Sequence, residues 1–312
     1  MTKATTLRTE NSYFSFLPEL GCQWTELVLP IPDQKQGEKS ISVIQGYKQG
    51  GDFFSSGNFC MFPWVNRMWP NSFIEQNELK LAASSKNSHL VLDGNGFPLH
   101  GSISNSPWRR TNSSNSYSLD YKDPVQLRKC QLEQSFELRD SSLIVETKIL
   151  NQEPNNWDYS LGYHPYFQLP HGTVDDWILE FHGRVKNIPL DQNCFPILEN
   201  FGQIETLPYV NVKTVALKFL SLDHLYYFPE GLSISLYHPE HPYALNIESF
   251  SSNTNNLFPF CQIYTPSNRE SIAIEPMLTP GNFEKVYFKY TERKFRKNHF
   301  FFQISLQLRS IK

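Results

Sequence analysis

The sequence predicts an all-β protein, a large and mostly antiparallel β-sandwich, and three observations carry that reading. Apolar and polar residues alternate with a period of two in paired segments, which is the pattern of strands with one face towards a core. Aromatic residues make up 14% of the chain, with 24 Phe and 15 Tyr, a content that suits half-buried strands. The 21 prolines oppose long helices, and helical periodicity is nearly absent.

Residues 13–30 hold short apolar runs broken by Pro18 and Gly21, and predict a first hairpin. Residues 31–39 read as a loop, and 41–47 continue in strand style. The segment Cys60, Met61, Phe62, Pro63, Trp64, Val65, Asn66, Arg67, Met68 carries an arginine among apolar residues, which needs a partner because burying it alone is costly. Residues 71–92 read as irregular strand and loop. Turn residues then flank His100-Gly101, and 102–116 read as a long loop anchored by Trp108. The clearest hairpin sets Leu132, Gln134, Phe136 and Leu138 against Leu143, Val145, Thr147 and Ile149, with a turn at 140–142. A second hairpin runs through Leu232, Ile234 and Leu236, turns at 238–242 and returns to Ile247. Strands are expected at 271–275 and, after a charged run at 289–297, at 299–308.

With 312 residues and no evident linker, the chain is expected to form a single domain over residues 1–312. Its 28 basic and 31 acidic residues give a net charge of -3, which offers no basic excess for nucleic acid or an anionic membrane. A neutral or weakly charged small molecule is the expected partner. Five scattered cysteines without a CxxC pair predict reduced thiols and no structural zinc. No apolar signal core or membrane-spanning run is visible, so a soluble, cytoplasmic protein is expected.

Two positions invite chemistry. In Ser160-Leu161-Gly162-Tyr163-His164-Pro165-Tyr166-Phe167, alternation puts His164 on the same face as Gly162, where the missing side chain would leave room for a ligand. On 271–275, Glu275 shares a face with Ser271 and Ala273. A His and a Glu, each cleared of bulk, suit a cleft with one acid and one base; taken singly, a strand-end His is more often structural and Glu275 is a solvated strand end about as readily. The remaining histidines, His89, His171, His182, His238, His241 and His299, lie in turns or polar contexts and read as structural, whereas His224 draws interest from its neighbour Asp223.

The order of Phe62-Pro63-Trp64-Val65-Asn66-Arg67, His100-Gly101, His164-Pro165-Tyr166-Phe167, Asp223-His224 and Ile274-Glu275-Pro276 resembles the aldose 1-epimerase (galactose mutarotase) superfamily over about residues 12–310. The resemblance implies that family's β-supersandwich, an isomerase that interconverts the α and β anomers of a pyranose, and neither metal nor organic cofactor. It implies His164 as the acid that protonates the ring oxygen and Glu275 as the base for the anomeric hydroxyl. His100, Arg67 and Asp223 would hold the sugar. The phosphate branch of the superfamily carries an Arg soon after its His-Gly, whereas here Ser102-Ile103-Ser104 follows Gly101. That absence counts against a phosphorylated substrate and leaves a pyranose sugar, an aldohexose or a hexose phosphate, as the expected partner. Arg109 and Arg110 keep open a hexose-6-phosphate epimerase, and a carbohydrate-binding protein without turnover is the other alternative.

Overall fold

A computed structural model describes residues 3–33, 39–68, 90–122, 128–152, 159–198, 202–250, 258–282 and 299–311; the side chains of residues 151, 250 and 299–305 are outside the description. Residues 34–38 of the expected loop 31–39, most of the irregular segment 71–92, His89 and the charged run 289–297 lie outside the described residues.

Three antiparallel sheets and a two-stranded hairpin make up the described fold, and the one α-helix there is the short Gly202–Thr206. A four-stranded sheet begins the chain, from Thr5–Arg8 through Tyr13–Leu17 and Gln23–Pro30 to Ser40–Ser42. A nine-stranded sheet has the long hairpin Lys129–Arg139 and Ser142–Asn151 near one side, then His299–Ser310, Tyr243–Phe250 and Ser233–Tyr237. Both expected hairpins are present: Leu132 pairs with Ile149 and Phe136 with Val145, and Ile234 pairs with Ile247. At the far edge of this sheet lies Arg109–Arg110.

The seven-stranded sheet positions the site. Its order runs Lys186–Ile188, Asp223–Tyr227, Phe260–Tyr264, Ile272–Met277, Gly162–Tyr163, Cys60–Met61, with Tyr166–Phe167 also on Ile272–Met277. Alternation divides its side chains between two apolar clusters. Leu161, Tyr163, Ile263, Ile272 and Ile274 enter the main core together with Leu132, Phe136 and Val145 of the nine-stranded sheet. On the other face Met61, Ile188, Leu225, Phe260 and Met277 form a smaller cluster. Polar residues in step with this second set escape the main core, and Asp223, Gln262, Glu275 and His164 are all in step with it.

Two sequence expectations need correction. The stretch 102–116 is mostly irregular with Trp108 buried, as expected, but it also contains the strand Arg109–Arg110, and Trp108 is not its one anchor: Ile103, Ser102, Ser104 and Ser106 are buried too, and the Gly21 N–H donates to the Ser106 carbonyl. Gly162 does not open room for a ligand either. A Cβ there would lie 2.8 Å from Val65 Cγ1, 2.9 Å from Met61 Cε and 2.9 Å from the Pro276 carbonyl oxygen, so the space is filled by the protein itself.

Candidate active site

Glu275 stands on Ile272–Met277 directly opposite Gln262 on Phe260–Tyr264. His164 follows the two-residue strand Gly162–Tyr163, and its backbone N–H is held by the Asn58 side-chain oxygen at 3.0 Å and the Phe59 carbonyl at 3.1 Å. The imidazole is sandwiched between Phe59 and Tyr166, with centroids 4.8 and 4.9 Å away. Tyr166 is itself fixed by its hydroxyl, which donates to the Phe54 carbonyl at 2.6 Å. So clamped, His164 Nε2 lies 3.2 Å from Glu275 Oε1 with both side chains almost fully buried.

Burial dominates the electrostatics of this pair. It drives His164 down to about 3. Burial and then the nearby Asp223 carboxylate raise Glu275 well above the ordinary carboxyl range, against a smaller opposing pull from Arg67. Among the described residues, Glu275 Oε2 and His164 Nδ1 are buried without a hydrogen-bond partner. His100 meets the His164 ring edge-to-face at 4.8 Å and has Nδ1 3.1 Å from Met61 Sδ. Burial, His164 and Arg67 together lower His100 well below the usual imidazole range. Its backbone has φ 58, and the following Gly101 has φ 77, where a Cβ would fall 2.3 Å from the Phe62 carbonyl oxygen; only glycine allows that crossing.

The structure thus brings together all five residues singled out from sequence. Arg67 receives the partner that its apolar setting demanded: its Nε donates to Asp93 Oδ2 at 2.8 Å, and Nη1 donates to the Asn66 side-chain oxygen at 3.2 Å. Partial burial pushes Asp93 up, but hydrogen bonds from Phe97, Arg67 and Asn95 outweigh it and hold the carboxyl below its usual range. Asp223 accepts from Gln262 Nε2 through one oxygen and lies 3.5 Å from Cys194 Sγ through the other.

Sequence reasoning missed Asn58, Asp93, Gln262 and Cys194. Gln262 carried a signal, being a lone amide inside the apolar run Phe258-Pro259-Phe260-Cys261-Gln262-Ile263. A second signal was a repeated spacing, Asp-x-Asn-x-Phe, at 93–97 and 191–195. The two segments fold as twin loops. Asp93 Oδ1 accepts from the Asn95 and Phe97 N–H groups, each at 2.9 Å, and Asp191 Oδ1 from those of Asn193 and Phe195 at 2.8 and 2.9 Å. Their left-handed positions are Gly96 and Cys194, and their phenylalanines meet edge-to-face at 4.9 Å. One loop therefore steadies Arg67 while the other brings a thiol to Asp223.

Outside this cluster, His171 stacks on His241 at 4.1 Å, His182 Nε2 lies 2.6 Å from Ser235 Oγ, and His224 is exposed beside Asp223. Among the described residues no group of three or more His, Cys, Asp or Glu is arranged to hold a metal, and no helix is long and apolar enough to cross a membrane.

A profile of the aldose 1-epimerase family matches residues 3–300. No curated protein matches the chain. Among solved structures it is similar to a galactose mutarotase-like protein from Clostridium acetobutylicum, with TM-score 0.72 and 16% identity over 99% of this chain and 96% of that one. It is also similar to the GalM/aldose epimerase homologue from C. elegans, with TM-score 0.70 and 16% identity over 100% of both chains. A third is the galactose 1-epimerase from Lactobacillus acidophilus NCFM, with TM-score 0.62 and 13% identity over 100% of both. At these identities the likeness establishes the galactose mutarotase-like fold.

Proposed function

The chain belongs to the aldose 1-epimerase family, and on that premise we propose that it interconverts the α and β anomers of a free aldohexose by acid–base ring opening. The observation that carries this reading is the buried His164–Glu275 contact of 3.2 Å with Glu275 Oε2 left unpartnered beside it. Opening a pyranose hemiacetal requires one proton to leave the C1 hydroxyl while another reaches the ring oxygen. The pair supplies both. Burial favours the neutral forms, with the proton on Glu275. Transfer along the contact to Nε2 leaves a carboxylate to accept the anomeric proton and an imidazolium to donate to the ring oxygen. Arg67 favours that transfer, because its charge stabilises ionised Glu275.

As the C1–ring oxygen bond breaks, its electron pair stays on the ring oxygen, which takes the proton from His164, and the C1 hydroxyl becomes an aldehyde. Rotation about C1–C2 then presents the other carbonyl face, and the same two groups run the steps in reverse. Arg67, His100 and Asp223 would hold the sugar hydroxyls, with Asp223 oriented by Gln262. A phosphorylated substrate draws no support from Arg109 and Arg110, which line a groove that none of the five cluster residues shares.

Polarimetry on freshly dissolved α-glucose and α-galactose, with glucose 6-phosphate in a parallel assay, tests the reading. Accelerated mutarotation of a free hexose is expected. No acceleration with any aldose would leave a sugar-binding protein without turnover.

A further inference from the structure

Gln23 opens the strand Gln23–Pro30 of the first sheet, which carries none of the five residues of the site, and its side chain is fully buried. A side-chain amide has two hydrogens to donate and an oxygen that accepts two, and here all four are in use. Oε1 accepts from the Trp24 N–H at 3.1 Å and the Asn58 N–H at 2.7 Å. Nε2 donates to the Phe53 carbonyl at 2.9 Å and the Ser56 carbonyl at 3.2 Å. Three of these partners belong to one irregular segment, residues 52–59, which turns through the short 3-10 helix Phe53–Ser55. Main-chain groups taken out of water need partners, and a single side chain meets that need here. The fit is close: a Cβ on Gly57, whose φ is 72, would fall 2.4 Å from Gln23 Oε1 and 2.6 Å from the Trp24 carbonyl oxygen.

The same segment holds His164 from both sides. Asn58, whose N–H rests on Gln23, accepts the His164 N–H with its side-chain oxygen, and Phe59 accepts it with its carbonyl and lies against the imidazole face. On the opposite face, Tyr166 hangs from the segment too: its N–H donates to the Gly57 carbonyl at 2.9 Å and its hydroxyl to the Phe54 carbonyl. Arg67 and Asp223 are braced elsewhere, by Asp93 and by Gln262.

We infer that Gln23 is a positioning residue for the proposed ring opening: it fixes segment 52–59 and, through Asn58, Phe59 and Tyr166, sets where His164 Nε2 stands against Glu275. Its own amide is saturated, so it has nothing left to offer a sugar. The kinetic part of this role rests on the epimerase reading; the effect on the imidazole needs no turnover.

Gln23→Met in the full chain tests it, since the side chain keeps its length and loses all four bonds. Gln134→Met, which removes a buried amide from the main core, is the control. Rates are taken well below melting and divided by the folded fraction. For Gln23→Met, kcat of hexose mutarotation is expected to fall by about ten- to 10²-fold while KM moves less than about threefold, because Arg67 and Asp223 keep their braces. The His164 imidazole, followed by NMR of histidine-labelled protein, is expected to titrate above the parent's value of about 3, towards 6.5, as water reaches it. Gln134→Met is expected to lose stability and show neither change. If Gln23→Met does not fold, Gln23→Glu decides by pH. Protonated, its carboxyl still accepts twice and donates to one carbonyl; ionised, it faces both carbonyls without a hydrogen, so kcat is expected to fall below the parent's as pH rises. An unmoved His164 titration in folded Gln23→Met, a loss in KM with kcat unchanged, the same shifts in Gln134→Met, or a Gln23→Glu rate that follows the parent at every pH would each overturn the proposal. A parent without mutarotation removes the epimerase reading and leaves the imidazole titration to decide the role of Gln23.

Discussion

Glu275 is 2% exposed and faces an imidazole that is 4% exposed. Folding therefore favours the neutral form of each, and the sign of the pH dependence follows. Unfolded, Glu275 ionises near 4.5; folded, it keeps its proton to a much higher pH. Between those values the folded state binds more protons, so this group's contribution to stability falls as pH rises. His164 acts the other way: between its ordinary 6.5 and about 3 the unfolded chain binds more protons, and stability falls as pH drops through that window. Glu275→Gln keeps the shape and has no charge to desolvate. It is expected to melt above the parent at neutral pH, the gap widening by about 1.4 kcal/mol per pH unit until folded Glu275 ionises. Turnover is expected to fall by roughly 10²- to 10⁴-fold. Melting curves over a pH series and polarimetry on the same preparation check both halves. An unchanged rate would remove Glu275 from the chemistry.

At the scale of the element, Gly162–Tyr163 is held between Ile272–Met277 and Cys60–Met61, with Gly162 paired to Met277 on one side and Met61 on the other. Val65, Met61 and the Pro276 carbonyl close over the glycine. Gly162→Ala is expected to cost roughly 1–3 kcal/mol, because strand backbone cannot withdraw as a flexible side chain would. Urea unfolding would measure it, and an unshifted midpoint would mean that the three strands are not packed this closely. The strands themselves were largely legible in the sequence: period two found the hairpins at 129–151 and 233–250, since local alternation is what one buried face demands. His164 and Glu275 were legible as well, although the room imagined beside Gly162 is occupied by protein. What alternation could not reveal is pairing between distant segments. Asn58 on the His164 backbone and Gln262 on Asp223 are contacts across 106 and 39 residues, set by the order of strands in the sheet.

At the scale of the whole molecule, a polar junction joins the two large sheets through the main core. Tyr163, fully buried on the site's sheet, shares its hydroxyl with Thr147 and accepts from Gln134 Nε2 at 3.4 Å, both from the long hairpin of the nine-stranded sheet. Tyr163→Phe leaves Gln134 Nε2 and Thr147 Oγ1 only their own 3.4 Å contact and is expected to destabilise the protein by about 1 kcal/mol. Mutarotation should change little, since Tyr163 faces away from His164; chemical denaturation alongside polarimetry separates the two effects. A rate loss as large as that of Glu275→Gln would mean that the two sheets transmit strain to the face that carries His164 and Glu275. The thiols divide along the same lines. Cys22, Cys60, Cys130 and Cys261 are sealed inside, whereas Cys194 is half-buried on its loop beside Asp223. Cys194 is thus the one thiol of the five that a reagent reaches without unfolding, and modifying it acts directly on Asp223.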